Sequence, residues 1–438
     1  MNLVRRSWLL LLLWAGSLVL ALTLPGERDG GSPFLSLTYV FTILLLVAFL
    51  WTRFSLSGIS LSRRLRSGRS QVGKYAEEQL TLENSGPLPK LWLEVHDESE
   101  LPQHRVSRVV NALSVGQQRS WLVRTPCFRR GSFRLGPITI LSGDPFGIFR
   151  WQRQLDIGDT LVVYPATYPL PGFRPTVGQL PGGEAHWRRT HHITTNVSGV
   201  RDYAPGDSFG RIHWPSTART GRLIVKEFEL DPLSDIWIFL DMDRRWHAGS
   251  LRQELPQVDL PTVLQLQQEP GGLYSLDPSS EEYAVAIAAS LSRHFLEQDW
   301  SLGLVTYPNR QRRDVAQVDR GERQQERILS LLAVTHAAGS VPLDQVLISD
   351  THHLHRSTTA IVITPCLDRR WVAALAHLTM RGVRPIAILI DSATFGAVMP
   401  EPQAAMAVAA DLAMARVPTY LVRNGDNIPA ALSQPYTR

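Results

Sequence analysis

Two apolar runs near the start of the chain restrict it more than any other feature. Ser7 to Leu24 and Phe34 to Thr52 carry no charged side chain. At about 1.5 Å per helical residue, each approaches the ~30 Å hydrocarbon core of a bilayer. A helix in a globular core keeps a polar stripe, and Leu9 to Leu13 leaves none. Both runs are therefore predicted to be transmembrane helices, joined into a hairpin by the turn-rich stretch Pro25 to Pro33. Arg5 and Arg6 precede the first run, Arg53, Arg63, Arg64, Arg66 and Arg69 follow the second, and the connection holds Glu27, Arg28 and Asp29. Basic flanks mark the cytoplasmic side, which puts both termini and the soluble body in the cytoplasm of an inner-membrane protein. The alternative for the first run is a cleavable signal peptide, although no small-x-small cleavage pattern clearly follows Leu22.

Beyond the hairpin, a chain of 438 residues has room for two or three soluble domains. Its two cysteines, Cys127 and Cys366, lie far apart and make no metal-ligand or redox spacing, so no disulfide framework is expected. The net charge of +5 is mild for this length. Part of it is the arginines beside the hairpin, which are drawn to the anionic head groups of a lipid bilayer. Nucleic-acid binding is not implied.

Periodicity divides the chain into a transmembrane hairpin at 1–53, an all-β domain at 54–170, a connection at 171–234 and an α/β domain at 235–438. In the second region, short alternating runs such as Gln79 to Glu83, Lys90 to Val95, Ser120 to Arg124, Ser132 to Leu135 and Leu161 to Tyr164 are separated by turn signals. They predict a β-sandwich of immunoglobulin-like type. From Asp235 onward, buried-type strands (Asp235 to Leu240, Ser301 to Thr306, Ala360 to Thr364, Pro385 to Ile390, Thr419 to Val422) alternate with helical segments. These are Glu281 to Glu297, Glu322 to Ala338, Arg369 to Arg381 and Gln403 to Arg416. Such alternation predicts a doubly wound parallel sheet, with ligands at the carboxyl ends of its strands. Arg244 to Pro278 is an insertion at that end and a partner-facing loop in expectation. The histidines His186, His191 and His192, and His352, His353 and His355, lack a closing ligand set and are read as solvated loop residues.

The densest chemistry lies in the connection. Gly199-Val-Arg-Asp-Tyr-Ala-Pro-Gly-Asp207 is followed by Arg211-Ile-His-Trp214 and by Ala218 to Phe228, which includes Arg219 and Glu227. Pro205-Gly206 is a turn dipeptide. It brings Asp202 and Asp207 to either side of a reversal, with Arg201, Arg211, Arg219 and Arg222 close in sequence. Bidentate pairing predicts a carboxylate–guanidinium network that either locks a domain junction or presents an anion site. The structural role is the favoured one, with Tyr203 and Trp214 as packing residues. This segment resembles the signature of domain-of-unknown-function family 58 (DUF 58). Arg130 to Pro137 and Asp144-Pro-Phe-Gly-Ile-Phe149 are similar to the stretch that precedes it in that family. The resemblance implies a MoxR-type AAA+ ATPase as partner, the pair acting as a chaperone-like module for the assembly or maturation of other proteins.

In the order of its elements, the α/β region resembles a von Willebrand factor A-type domain. That resemblance implies a D-x-S-x-S loop after the first strand, which binds a divalent cation with a later threonine and aspartate. Here Asp241 matches the first ligand, Asp243 stands at the first serine and Arg245 replaces the second. Asp368 is a possible distal carboxylate, and no threonine is convincingly placed between. A guanidinium at the third position repels a cation such as magnesium, so the expectation is a degenerate site without a cofactor. The other reading of Asp241 and Asp243 is loop and capping chemistry.

No phosphate loop, nucleophile elbow or H-E-x-x-H is present. Asp202 and Asp207, beside arginines, are expected to stay ionised, which does not suit a general acid. The expected function is a membrane-anchored, non-enzymatic binding or scaffold protein. The alternative is a hydrolase or transferase acting on cell-envelope material at the membrane surface.

Overall fold

The computed structural model describes residues 2–3, 7–23, 33–173, 197–204, 207, 209–228, 235–251, 276–309, 312–351, 354–356, 358–396 and 404–436. The chain forms two compact units, one built on Met1–Ala166 and the other on Thr167–Leu251, Asp277–Ile328 and His336–Arg438.

The first unit opens with β1 (Asn2–Leu3), α1 (Trp8–Thr23) and α2 (Pro33–Ser55). The helices run antiparallel, with Trp14 Nε1 donating to Thr42 Oγ1 (2.9 Å) and Thr38 Oγ1 to Ser17 Oγ (3.0 Å). Their outer faces stay exposed, at Leu12, Leu13, Val40, Ile43 and Leu46 among others. The 23 residues of α2 span about 34 Å, and the 16 of α1 only about 24 Å. Among the described residues, α2 is the one helix long and apolar enough to cross a bilayer. The described part of its partner α1 is shorter.

The β-rich remainder contains β2 (Ile59–Leu65), β3 (Arg69–Gln71), β4 (Tyr75–Asn84), β5 (Lys90–Asp97), β6 (Arg108–Leu113), β7 (Gln118–Pro126), β8 (Gly131–Leu135), β9 (Ile138–Gly143), β10 (Phe149–Leu155) and β11 (Asp159–Tyr164). They pair in the orders β1-β10-β9-β5-β6, β2-β4-β7 and β3-β11-β8. Alternation in β4 buries Ala76, Glu78, Leu80, Leu82 and Asn84 on one face. There Leu80 and Leu82 join Leu61, Leu93, Val95, Ile138 and Ile140 in one core shared by the first two sheets.

In the second unit, β12 (Val197–Asp202) and β13 (Ile224–Phe228) pair antiparallel, with α3 (Trp214–Thr220) between them in sequence. Then come β14 (Ile236–Leu240), α4 (Ser280–Glu297), β15 (Leu302–Asn309), β16 (Arg312–Asp319), α5 (Gly321–Ala333), α6 (Leu343–Ser349), β17 (Thr359–Thr364), α7 (Arg370–Met380), β18 (Arg384–Ile390), α8 (Ala404–Met414), β19 (Thr419–Val422) and α9 (Ile428–Ala431). The sheet runs β16-β15-β14-β17-β18-β19, parallel except for β16, which lies antiparallel on β15. β14 and β17 are buried along their whole length, as central strands of a covered parallel sheet must be. All five predicted strands are present. The edge strand β16 and the short α6 were not expected. Because the chain goes to β15 on one side of β14 and later to β17 on the other, the order reverses between β14 and β17. In such sheets that reversal opens the ligand crevice.

The first unit also buries a set of charges. Arg63 sits between Glu78 (Nε to Oε2, 3.0 Å) and Asp97 (Nη2 to Oδ1, 2.8 Å). His104 Nε2 lies 3.1 Å from Glu78 Oε1 and 3.0 Å from Asp97 Oδ2, while Nδ1 meets Thr125 Oγ1 at 2.7 Å. Two carboxylates and one guanidinium balance only if the imidazole is protonated. Burial works against that proton, but Asp97 and Glu78 outweigh it and raise the His104 pKa above its ordinary value. A histidine whose pKa rises on folding stabilises the folded state fully below about pH 6.5. The contribution is lost as pH climbs through the raised folded value. Replacing His104 with alanine should cost about 3–5 kcal/mol of unfolding free energy at pH 6. Denaturant titrations should show that difference shrinking as the pH is raised toward 9.

Candidate functional site

At the reversal point, the last turn of backbone pairing places Asp241 next to the end of β17, with Asp241 N donating to Ile363 O at 3.0 Å. The next residue of β17, Thr364, donates its hydroxyl to Asp241 Oδ2 (2.6 Å) and accepts the Cys366 amide at 2.8 Å. Asp243 N donates to Asp241 Oδ1 (3.0 Å). The Asp241 side chain is buried, and burial pushes its carboxyl above the usual carboxylate range. The Thr364 hydroxyl, His247 and the Asp243 amide oppose this shift without cancelling it, and the Asp243 charge adds to it. The pairing of Thr364 with Asp241 was not among the sequence expectations.

Asp243 is engaged elsewhere. Arg245 Nε lies 3.1 and 3.0 Å from the two Asp243 oxygens, and the Arg245 amide also donates to Oδ1. The loop needs a glycine opposite it: a Cβ on Gly339 would fall 2.5 Å from Tyr307 O and 2.7 Å from Met242 O. Asp368 pairs with Arg370 (Nε to Oδ2, 2.8 Å), which holds its carboxyl below the usual range. Asp241, Asp243 and Asp368 therefore do not converge: among the described residues no group of three acidic, histidine or cysteine side chains could hold a metal.

His247 closes the same loop. Its Nε2 donates to the Asp241 carbonyl (2.9 Å), and its Nδ1 lies 3.1 Å from Ser280 Oγ, which accepts the Ala248 amide at 2.9 Å. Serine, histidine and aspartate thus stand together without forming a nucleophilic triad. The histidine meets a backbone carbonyl rather than a carboxylate, and Ser280 is fully buried at the start of α4.

The signature segment is a β-hairpin with a helix. Arg201 clamps Asp207 in a bidentate pair (2.8 and 2.7 Å), and Asp207 Oδ2 also accepts the Ala204 amide at 2.9 Å. The rest of the expected network is thin. Arg222 reaches Asp202 only at 4.0 Å with both side chains exposed, and Arg219 is exposed near the end of α3. Pro205 and Gly206 lie outside the described residues, as do His186, His191, His192, His352, His353 and residues 252–275 of the insertion. Arg211 ends a short 3-10 turn and Glu227 lies on β13.

Tyr203 stacks on Phe209 with ring centroids 5.9 Å apart. Neither aromatic neighbour is core: Phe209 is 71% and Trp214 64% exposed, and α3 buries none of its residues. The expectation that Trp214 packs is corrected here. Among the described residues no second layer covers the tryptophan of this seven-residue helix. Val200 and Leu223 are exposed on the same module. Arg219 and Arg222 are exposed on it too, so the module carries aromatic, apolar and basic side chains at its surface.

The profile of the family described as "Protein of unknown function DUF58" matches residues 199–266, the span from this module into the α/β domain. The chain is similar to "Uncharacterized protein YeaD" of Bacillus subtilis (strain 168), 23% identical over 328 residues covering 72% of each chain. Among solved structures, a CARDB domain from Pyrococcus furiosus (13% identical, TM-score 0.19) covers 24% of this chain and 86% of its own. The alkylpurine DNA glycosylase AlkC of Pseudomonas fluorescens (12% identical, TM-score 0.17) covers 36% of this chain and 43% of its own. At scores this low, neither likeness carries a structural argument.

Two variants probe the cradle. A carboxyl whose pKa is raised on folding favours the folded state most when protonated. That benefit is full below the ordinary value of 3.8 and is lost as pH rises through the folded value. Thr364→Val removes a donor to Asp241, and chemical denaturation should show a loss of about 1–3 kcal/mol, larger at neutral than at acid pH. Calorimetric titration with magnesium should give no tight binding to the unsubstituted protein. Arg245→Ser, which removes the guanidinium from the Asp243 carboxylate, should introduce measurable binding.

Proposed function

We propose that this chain is a membrane-anchored, non-enzymatic binding protein whose β12–α3–β13 module docks a protein partner. The exposure of Trp214 and Phe209 beside the Arg201–Asp207 clamp carries the reading. Burying a surface tryptophan and phenylalanine against a partner provides a hot spot. Family resemblance makes a MoxR-type AAA+ ATPase the partner of choice, in a chaperone-like role.

The element order of the α/β domain and the Asp241–Thr364 contact support a von Willebrand factor A-like reading, with Arg245 taking the place of a cation. The burial of Ser280 and the pairing of Asp243 and Asp368 with arginines support binding over catalysis.

Apolar α2 supports an integral membrane location. Both ends of the helical pair return to the same sheet system: β1 pairs with β10, and β2 starts soon after α2. That favours two spans with both ends on one side, and the basic flanks favour the cytoplasm for that side.

The test is affinity capture of the full-length protein in mild detergent, with and without ATP and magnesium. A MoxR-type ATPase should be enriched in a nucleotide-dependent manner. Trp214→Ala and Arg219→Ala should each lower its recovery at least several-fold without lowering the thermal midpoint, since surface substitutions leave stability nearly unchanged. Loss of stability together with binding would restore the structural role of the segment. Recovery of envelope material in place of the ATPase would favour the hydrolase reading.

A further inference from the structure

The turn Asp144-Pro-Phe-Gly-Ile148 is built to hold a shape. Asp144 is 1% exposed, and its carboxylate accepts the amides of Phe146 (2.8 Å), Ile148 (3.2 Å) and Phe149 (2.6 Å). Gly147 takes a positive φ of 72°, and its amide donates back to Asp144 O at 3.3 Å. Three amides on one buried carboxylate fix the turn, yet what it displays is apolar. Phe146 is 56% exposed, between exposed Pro145 and Gly147.

The position of the turn says what this display faces. On β10, Trp151 carries the Arg53 guanidinium 4.7 Å above its ring, and two residues earlier Phe149 meets Phe49 edge-on at 6.1 Å. Moving from Trp151 back to Phe149 thus runs along α2 from Arg53 into its apolar stretch. The turn continues in that direction. Ser7, just before α1, donates to Ile148 O at 3.0 Å, which ties the turn to the base of the helical pair. A tryptophan capped by arginine is the arrangement of a head-group belt. Phe146 extends beyond it on the hydrocarbon side.

We propose that the Asp144–Phe149 turn is a membrane-interface anchor. Phe146 enters the boundary between head groups and acyl chains of a phospholipid bilayer while Arg53, over Trp151, stays at phosphate level. The β-rich unit is then held in one orientation against the bilayer. This inference rests on the membrane reading of α2.

The test uses the full-length protein in phosphatidylcholine–phosphatidylglycerol vesicles, with an environment-sensitive fluorophore on Pro145→Cys. The native Cys127 and Cys366 are buried. Nitroxide carried near the lipid head group should quench this label at least twofold more than aqueous iodide does, and adding Phe146→Asp should reverse the preference. A second label at Leu46→Cys, on the exposed face of α2, reports whether that helix lies in lipid. Lipid quenching at 46 with iodide quenching at 145 overturns the anchor and leaves the membrane helix standing. Iodide quenching at both overturns the membrane reading and the anchor with it. Lipid quenching at 145 that ignores Phe146→Asp overturns the role given to Phe146.

Discussion

The ammonium of Lys90 holds the first unit together at its most demanding joint. It is buried on β5 and donates to the carbonyls of Phe54 (3.0 Å) and Ser57 (2.9 Å), where α2 ends. A helix terminus leaves carbonyls without partners and carries partial negative charge, and a cation there answers both. Burial draws the lysine pKa below its ordinary range. Thr52 and Ser55 are buried at the same joint, with hydroxyls bonded to the carbonyls of Ala48 and Thr52. An apolar helix is thereby set on the sandwich at a fixed angle. The Phe49–Phe149 and Arg53–Trp151 contacts depend on that angle, and so does the height at which Phe146 is displayed.

The two units treat buried charge in different ways. In the first, Arg63, Glu78, Asp97 and His104 compensate one another, and neutrality depends on a proton on the imidazole. In the second, Asp241 has no guanidinium partner at its carboxylate; hydroxyl and amide donors serve it, and its pKa rises. Arg245, close by, is committed to Asp243. The crevice at the strand reversal thus has its buried charges satisfied by neighbouring side chains and amides.

The signature module contrasts with both. Its clamp, Arg201 on Asp207, is partly exposed and contributes little stability by itself, since exposed ion pairs are worth about 1 kcal/mol or less. The density of charged and aromatic residues in this segment coincides with exposure rather than burial at Phe209 and Trp214.

The sequence by itself determined the classes of element and their order. Uncharged runs marked the apolar helices, alternation marked β4, β5 and β7, and continuous apolar runs marked β14, β17 and β18, because periodicity records which faces are buried. In the β-rich unit it missed β2, β3, β6, β9 and β10, and in the α/β domain the charged edge strand β16; β10 and β16 are mostly unburied, so burial imposes no pattern there, while β2 and β9 do alternate and went unread. Asp241, Asp243 and Arg245 were legible from their place just after a strand. Tertiary structure alone decided that Thr364 is the partner of Asp241, since only the reversal of strand order between β14 and β17 brings residues so distant in sequence side by side. It decided equally that Trp214 is exposed, because whether a second layer covers a short helix is a property of packing and leaves no mark on the helix's own residues.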